Sequence, residues 1–223
     1  MRRMIRSLAL VGTVMALGAC QKDEKKPDAA MSQEMVVAIV QGKPIEVKQL
    51  LDKGESVDAK QGGKTALHMA AMNGKVDIIS ILIARGAKVD NQDEEGVTPL
   101  MLAASTGKIE AVQALLAQGA KIETQNKLGE NALHIAGAHG KKDVVVELLD
   151  RGANIRATTN NGLNVLVFAL NRMVQPGAKA EDTALVEFIK GKFGSGADTV
   201  KSTLTEMGEP AAAPVEKPKA KKK

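Results

Sequence analysis

Three stretches of the chain, GKTALHMAAMNGK (63–75), GVTPLMLAASTGK (96–108) and GENALHIAGAHGK (129–141), repeat one pattern every 33 residues. The segments that follow them match as well: VDIISILIARGAKVD (76–90), IEAVQALLAQGAKIE (109–123) and DVVVELLDRGANIR (143–156). Three glycine series keep the same interval, namely Gly63, Gly96, Gly129 and Gly162, then Gly74, Gly107 and Gly140, and then Gly86, Gly119 and Gly152. One period shared by three series predicts a stack of structural repeats rather than a single folded unit.

Each repeat has the local signals of a helix pair. One equivalent site holds Thr65, Thr98, Asn131 and Asn164, all of which are good helix N-caps. The first helix then carries small apolar residues such as Ala70 and Ala71, and it ends at Gly74. The second helix carries paired aliphatic residues about a turn apart, and Gly86 stops it in the left-handed conformation. No such pair can bury its apolar face alone, so the stack itself is the fold.

This pattern resembles the ankyrin repeat, whose signature is T-P-L-H-x-A, over about residues 31–197. The resemblance implies an all-α ankyrin-repeat solenoid of helix–turn–helix repeats joined by β-hairpin loops, with about five repeats. Residues 31–62 form a degenerate first repeat whose loop is one residue shorter. The last repeat has a longer loop at 175–177 and a second helix over 184–192. With a short helix over 199–207, the repeat domain is expected to span residues 31–208.

The N-terminus has the pattern of an export signal. A basic stretch (1–6) precedes an apolar run (8–17) that is too short to cross a bilayer, which takes about 20 residues. The run ends in Leu17-Gly18-Ala19-Cys20, which resembles the bacterial lipobox. The resemblance implies a lipoprotein signal peptide over 1–19 and lipidation of Cys20. An ordinary signal peptide with a chance cysteine is the alternative.

The lipoprotein resemblance also implies where the protein resides. The charged segment 20–30 contains Pro27 and no apolar periodicity, so it is predicted to be a flexible tether behind the lipidated cysteine. Gln21 takes the place of the aspartate that retains lipoproteins in the inner membrane. We therefore expect a lipid-anchored protein on the periplasmic side of the bacterial envelope, at the outer membrane.

Charge and aromatic content argue against nucleic-acid binding. The net charge of +5 resides at the two ends, where Arg2, Arg3 and Arg6 and a lysine-rich tail leave the middle close to neutral. The chain has no Trp, no Tyr and three Phe, so bases would find almost nothing to stack on. The tail EPAAAPVEKPKAKKK (209–223) is Pro/Ala/Lys-rich and is predicted to be disordered. It is expected to touch anionic lipid or cell wall, or to have no role.

No catalytic, metal or cofactor site is predicted. His68 and His134 occupy equivalent positions two repeats apart, roughly 20 Å at about 8–10 Å per packed layer, so they cannot share a metal ion. The ankyrin resemblance implies instead that they hydrogen-bond adjacent hairpins. GKFGSGAD (191–198) lacks the Lys-Ser/Thr of a phosphate-binding loop. We therefore expect no enzyme activity, no cofactor and no small-molecule substrate.

All three phenylalanines, Phe168, Phe188 and Phe193, fall in the last repeat. They are expected to plug the last interface of the stack. A partner anchor is the alternative, for which Phe193 is the best candidate.

A protein partner is what the ankyrin resemblance implies, bound by the hairpin tips and the concave face of the first helices. The matching tip residues are Gln61, Lys64, Gln92, Glu94, Glu95, Gln125, Lys127, Glu130, Thr158 and Asn160. The matching helix residues are Met72, Asn73, Ser105, Thr106, Ala138, His139, Asn171 and Arg172. This surface mixes both charges, and an ordinary solvated surface remains open. We predict a non-enzymatic binding scaffold; the alternative is an immunity protein that inhibits a toxic enzyme in the same compartment.

Overall fold

Ten helices and one short hairpin make up the regular structure of residues 30–175 and 177–193, which the computed structural model describes. The first four repeats contain α1 (Gln33–Gln41), α2 (Pro44–Asp52), β1 (Lys60–Gln61), β2 (Lys64–Thr65), α3 (Ala66–Met72), α4 (Val76–Ala84), α5 (Pro99–Thr106), α6 (Ile109–Ala117), α7 (Ala132–Ala138) and α8 (Lys142–Asp150). The last repeat contains α9 (Val165–Met173) and α10 (Ala180–Phe193). The predicted all-α ankyrin solenoid of about five repeats is confirmed.

The predicted N-caps begin the first helices of repeats 2 to 5. Thr65, Thr98, Asn131 and Asn164 directly precede α3, α5, α7 and α9 in extended backbone. Asn131 accepts a hydrogen bond from the backbone N–H of His134 at 3.2 Å, which satisfies a donor left free at the helix start. Pro99 occupies the first helical position, where its missing N–H costs nothing.

A glycine follows the first helix in repeats 2 to 4, for two reasons. Gly107 closes α5 with a φ of 74°, a left-handed conformation that other residues adopt only with strain. Its missing side chain also leaves room for the next repeat, because a Cβ there would lie 2.9 Å from Cδ of Lys141. The lysine stem therefore packs directly on the glycine of the repeat before it.

The helices stack in two rows. In one row α3 lies against α5, α5 against α7 and α7 against α9, and in the other α4 lies against α6 and α6 against α8. Small, fully buried residues such as Ala103 and Ala136 let the first helices approach closely. Between the rows, Leu82, Leu115 and Leu148 are completely buried at one equivalent position. The core is therefore continuous along the stack.

The loops between repeats close by one reverse turn, and within the described residues strands form only at the first of them. There β1 pairs with β2 in antiparallel register, Lys60 opposite Thr65 and Gln61 opposite Lys64. At the next three loops a backbone N–H bonds a carbonyl four residues on, as Asp93 N–H does to Val97 O at 3.0 Å. The predicted β-hairpin loops are thus tight turns without strand residues in repeats 3 to 5.

The last repeat departs from the others as expected, with one correction. Residues 174–179 separate α9 from α10, whereas residues 73–75 separate α3 from α4, which confirms the longer loop. The predicted start of the second helix at residue 184 is wrong, since α10 begins at Ala180. Glu181 and Asp182 supply acidic side chains in its first turn, and Asp182 accepts a hydrogen bond from Lys179 N–H at 2.7 Å.

Several predictions fall on residues outside the described part of the chain. They are the signal peptide (1–19), the lipidated Cys20, the tether up to residue 29, the helix over 199–207 and the tail over 209–223. Among the residues that the structure does describe, no helix is both long enough and apolar enough to cross a membrane.

Candidate functional site

His68 ties two neighbouring repeats together from inside the stack. The backbone N–H of Thr65 donates to Nδ1 at 3.2 Å, so Nε2 carries the proton and donates to the carbonyl of Val97 at 3.0 Å. The side chain is fully buried, and this burial lowers the pKa of His68 below its usual 6.5. The histidine is therefore neutral and structural, as the ankyrin resemblance implies.

His134 repeats this arrangement two repeats later with a different acceptor. Its Nδ1 meets Asn131, whose N–H donates at 3.3 Å, and its Nε2 lies 2.9 Å from the carbonyl of Ala157. Burial lowers the pKa of His134 too. Repeat 3 has Met101 at this position, with Sδ 3.5 Å from Thr98 N. Across the described residues, no three His, Cys, Asp or Glu side chains are grouped so that they could hold a metal ion.

Amide side chains on the hairpin tips link one repeat to the next. Gln92 Nε2 donates to the carbonyls of Gly96 and Gln125, at 2.9 and 3.1 Å. Gln125 Nε2 donates in turn to Thr158 O at 3.2 Å. The tips therefore lie in one row, and the amides of Gln92 and Gln125 hold that row together.

The charged tip residues are held less tightly. Lys64 pairs with Asp93 at 3.4 Å, and Lys127 pairs with Glu95 at 3.9 Å while both side chains stay more than 60% exposed. Glu94 has no hydrogen bond or ion pair with any described residue. Glu94, Glu95 and Lys127 therefore form a mixed-charge patch open to solvent, which we call the tip patch.

The predicted helix residues lie where the first helices end, whereas the tips precede the starts of those helices. Several bond their own helix, since Asn73 Nδ2 donates to Met69 O at 2.8 Å and Thr106 Oγ1 to Leu102 O at 3.0 Å. His139 is exposed, with Nδ1 2.9 Å from Ile135 O. The other predicted positions are at least partly exposed: Gln61, Met72, Ser105, Glu130, Ala138, Thr158, Asn160 and Asn171. Arg172 instead pairs with the buried Asp182 at 3.6 Å, and its Nε is buried in the last repeat.

Sequence reasoning missed the residues that shape the tips. Asp93 has a side chain only 5% exposed, and its Oδ1 accepts from the backbone N–H groups of Glu95 and Val97 at 3.0 and 2.9 Å. Asn126 does the same one repeat later, with Leu128 and Glu130 as donors. An Asp or Asn five residues before the N-cap is a turn-forming signal that could have revealed them.

Among the three phenylalanines of the last repeat, Phe193 is buried, and Phe168 and Phe188 are half-buried. Phe193 is 8% exposed, and the Arg156 guanidinium lies 5.8 Å from its ring centroid. Phe168 meets the ring of His134 edge-on at 5.5 Å. The interface-plug interpretation therefore holds for these two, and a role for Phe193 as an exposed partner anchor is wrong because its side chain is buried.

Two of the open grooves in the described part of the chain lie between helices. One, of about 290 Å³, is lined by residues of α8 and α10, among them Lys142 and Glu181. The other, of about 380 Å³, lies between α1 and α2. Neither is lined by Ser, Cys or His.

Comparison with known proteins agrees with this geometry. The family described as ankyrin repeats (3 copies) matches residues 35–126 and 100–180, which together cover more than half of the chain. A Transient receptor potential cation channel subfamily A member 1 homolog of Caenorhabditis elegans is 32% identical over 74 residues, 33% of this chain and 6% of that protein. The chain thus spans a small fraction of that relative. Ankyrin repeats generally mediate protein–protein interaction, and the family is typically a non-enzymatic module. The period, the two rows of helices and the hairpin-bonded histidines are those of the ankyrin-repeat family, to which this chain belongs.

Proposed function

We propose that this chain is a lipid-anchored binding scaffold that holds a protein partner on its hairpin tips and first-helix ends. The anchor is Cys20, and the compartment is the periplasmic side of the bacterial envelope, at the outer membrane. Membership of a family that generally mediates protein–protein interaction supports the scaffold role. The sequence Leu17-Gly18-Ala19-Cys20 supports the anchor.

The observation that carries the proposal is that certain exposed positions differ from repeat to repeat, while one buried core position keeps the same residue. At one first-helix position the repeats carry Met72, Ser105 and Ala138, and at one tip position they carry Glu94 and Lys127. All five are at least partly exposed, whereas the equivalent leucines of the core are completely buried. Packing does not require the variable residues, so they are the ones that can recognise a partner.

The charge of the tip patch favours selectivity over raw affinity. Glu95 is 76% exposed and Lys127 is 65% exposed, so their ion pair at 3.9 Å contributes little to stability. Exposed charges of both signs steer a complementary partner and repel a mismatched one. We therefore expect capture of the partner to weaken with salt.

The proposed anchor places this surface near the membrane. Ala30, the first described residue, forms a bridge with Lys60 of the first hairpin, and Met31 N–H donates to Lys60 O at 3.1 Å. Ala30 is the tenth residue after Cys20, which gives a reach of at most about 33 Å. Labelled palmitate should enter the natural chain and not Cys20→Ser; equal labelling of both would remove the anchor from the proposal.

The binding surface is tested by reversing its charge. Glu94→Lys with Glu95→Lys should leave the helical circular dichroism and the melting temperature nearly unchanged, because both side chains are exposed. Capture of the partner from envelope extracts should fall sharply. Asp150→Lys with Glu187→Lys, the same charge change on exposed second-helix residues, is the matched control and should capture normally.

Two outcomes would redirect the proposal. If capture survives the tip variant but disappears when residues 217–223 are removed, the basic tail is the functional element and the solenoid is a spacer. If the captured partner is a toxic enzyme whose activity falls on binding, the scaffold is an immunity protein.

A further inference from the structure

The outer side of the first repeat carries apolar side chains that no described element covers. Val37 and Val40 on α1 are 41% and 49% exposed, and Ile45 on α2 is 72% exposed. They are three of the five large apolar side chains exposed in the described part of the chain. Val37 and Val40 lie three residues apart on one helix face, opposite the buried Ala38 and Ile39 core side. We call Val37, Val40 and Ile45 the end face.

Folding does not explain Ile45. It is the second residue of α2, and the second residues of α4, α6 and α8 are Asp77, Glu110 and Asp143. An acid in the first turn interacts favourably with the helix dipole, and in α2 Glu46, one residue later, supplies that acid. The exposed isoleucine adds nothing to this interaction. An apolar residue that replaces three exposed acids therefore indicates a contact that only this end of the stack makes.

The end face continues into a groove whose lining carries both charges. The groove of about 380 Å³ between α1 and α2 is lined by Val37 and Leu50, and also by Lys53 and the acids Glu34 and Glu46. Lys48 lies one turn beyond Ile45 and is exposed. Glu46 pairs with Lys43 at 2.9 Å, so these two add no net charge, and Lys48 and Lys53 outnumber Glu34 among the other charges named here. Apolar side chains flanked by lysines fit the boundary between acyl chains and anionic headgroups.

We propose that the end face lies against the phospholipid bilayer, which makes the first repeat a second membrane contact. This inference rests on the proposed lipid anchor. Ten residues of tether reach at most about 33 Å, and α1 is about 13.5 Å long, so the end face can meet the surface that holds Cys20. The stack then rises from the membrane on its first repeat, and the tip patch projects beside it toward the periplasm.

The absence of tryptophan from the chain makes this contact measurable. Residues 20–223, which contain every described element, are coupled through the Cys20 thiol to a maleimide phospholipid in phosphatidylethanolamine/phosphatidylglycerol vesicles. Ile45→Trp should then emit at shorter wavelength than in solution and be quenched by brominated lipid. Leu128→Trp, at a hairpin-tip residue that is 62% exposed, is the matched control and should behave as it does in solution.

Each other outcome overturns the inference. Equal quenching at positions 45 and 128 shows a stack that lies on the membrane without preference. Shielding of position 45 without vesicles shows a different occupant, a second copy if it grows with protein concentration and residues 20–29 if it does not. Because the coupling is chemical, failure of palmitate labelling in cells would remove the natural anchor without changing this result.

A second variant checks that a change in vesicle binding does not come from a change in folding. Ile45→Glu restores the acid of the interior repeats and should leave unfolding unaffected. It should lower binding of the untethered Cys20→Ser chain to the same vesicles by roughly tenfold, as expected for loss of one buried aliphatic side chain. Asp77→Ile, the reverse change in an interior repeat, should not raise that binding; an equal rise would mean that any exposed isoleucine suffices.

Discussion

The interior repeats and the last repeat differ in the side chain that packs on the glycine after the first helix of the preceding repeat. We call this contact the joint between two repeats. In the interior, an exposed lysine lies over the glycine of the preceding repeat, so a Cβ at Gly74 would be 3.0 Å from Cδ of Lys108. In the last repeat the longer loop brings Asp182 to this place, where its Oδ1 would overlap a Cβ on Gly140. Asp182 is 4% exposed and pairs with Arg172 at 3.6 Å. The longer loop has thus replaced an exposed lysine with the buried carboxylate of Asp182, which needs the ion pair with Arg172.

A second difference lies between the first helices. The interior repeats carry Ala71 and Ala104 where α7 carries Gly137. A Cβ on Gly137 would lie 2.8 Å from Cγ2 of Val165 and 3.2 Å from its carbonyl oxygen. The larger residue in the last repeat is therefore accommodated by a smaller one in the repeat before it. The interior interfaces therefore use the same residue types from repeat to repeat, whereas at the last interface Gly137 and Val165 are complementary in size.

The largest effect is expected in the interior core. Leu115→Ala and Leu148→Ala each remove a completely buried side chain and should lower the free energy of unfolding by about 2–5 kcal/mol in urea melts. Lys127→Ala, at an exposed tip, should cost less than about 0.5 kcal/mol. The reverse order would mean that the 33-residue frame is misassigned.

The matched pair at the last interface comes next. Gly137→Ala should lower the free energy of unfolding by about 1–3 kcal/mol, because Val165 is branched at Cβ and cannot turn away from the new methyl group. Val165→Ala in the same chain should restore part of the loss. Gly191→Ala in α10 is the control: nothing lies within 4 Å of its Cβ position, so it should stabilise by about 0.5–1 kcal/mol. Destabilisation by both glycine variants would count against a local clash.

The carboxylate that replaces the lysine gives a third test. Asp182→Ala removes the acceptor of Lys179 N–H and leaves Nε of Arg172 without its ion pair, so it should cost about 1–3 kcal/mol in thermal or urea melts. Lys108→Ala at the corresponding interior joint should cost less than about 0.5 kcal/mol. Similar costs for the two would show that the two kinds of joint are energetically alike.

The smallest effect is a dependence on pH. Burial lowers the pKa of His68 and of His134 in the folded state, so the unfolded chain binds more protons below about pH 6.5. Stability should therefore be complete above pH 6.5 and fall as the solution becomes more acidic, by at most about 1.4 kcal/mol per pH unit for each histidine. His68→Met with His134→Met, which copies Met101 of repeat 3, should flatten this slope between pH 5.5 and 7.5. An unchanged slope would assign it to other groups.

The sequence predicted which residues lie on the candidate surface, but not which hydrogen bonds they form. The 33-residue period puts Gln92, Glu95 and Gln125 on hairpin tips, and the structure finds them there. The period cannot say that the two glutamine amides bond the neighbouring tips while Glu94 bonds no other described residue, because those bonds join residues that are 33 positions apart in the chain. The part played by these residues in binding stays a prediction.

Most of this fold could be predicted from the sequence alone, because short-range interactions determine where its helices begin and end. The N-caps at Thr98 and Asn131 and the left-handed glycines act within about four residues of their own position, so their signals can be seen in the chain. Only the tertiary structure decided the start of α10 at Ala180, the burial of Phe193 and Asp182, and the exposure of Ile45. These depend on what lies across an interface or at the end of the stack. Neighbours that are distant in sequence determine burial, and no short-range pattern records which neighbours those are.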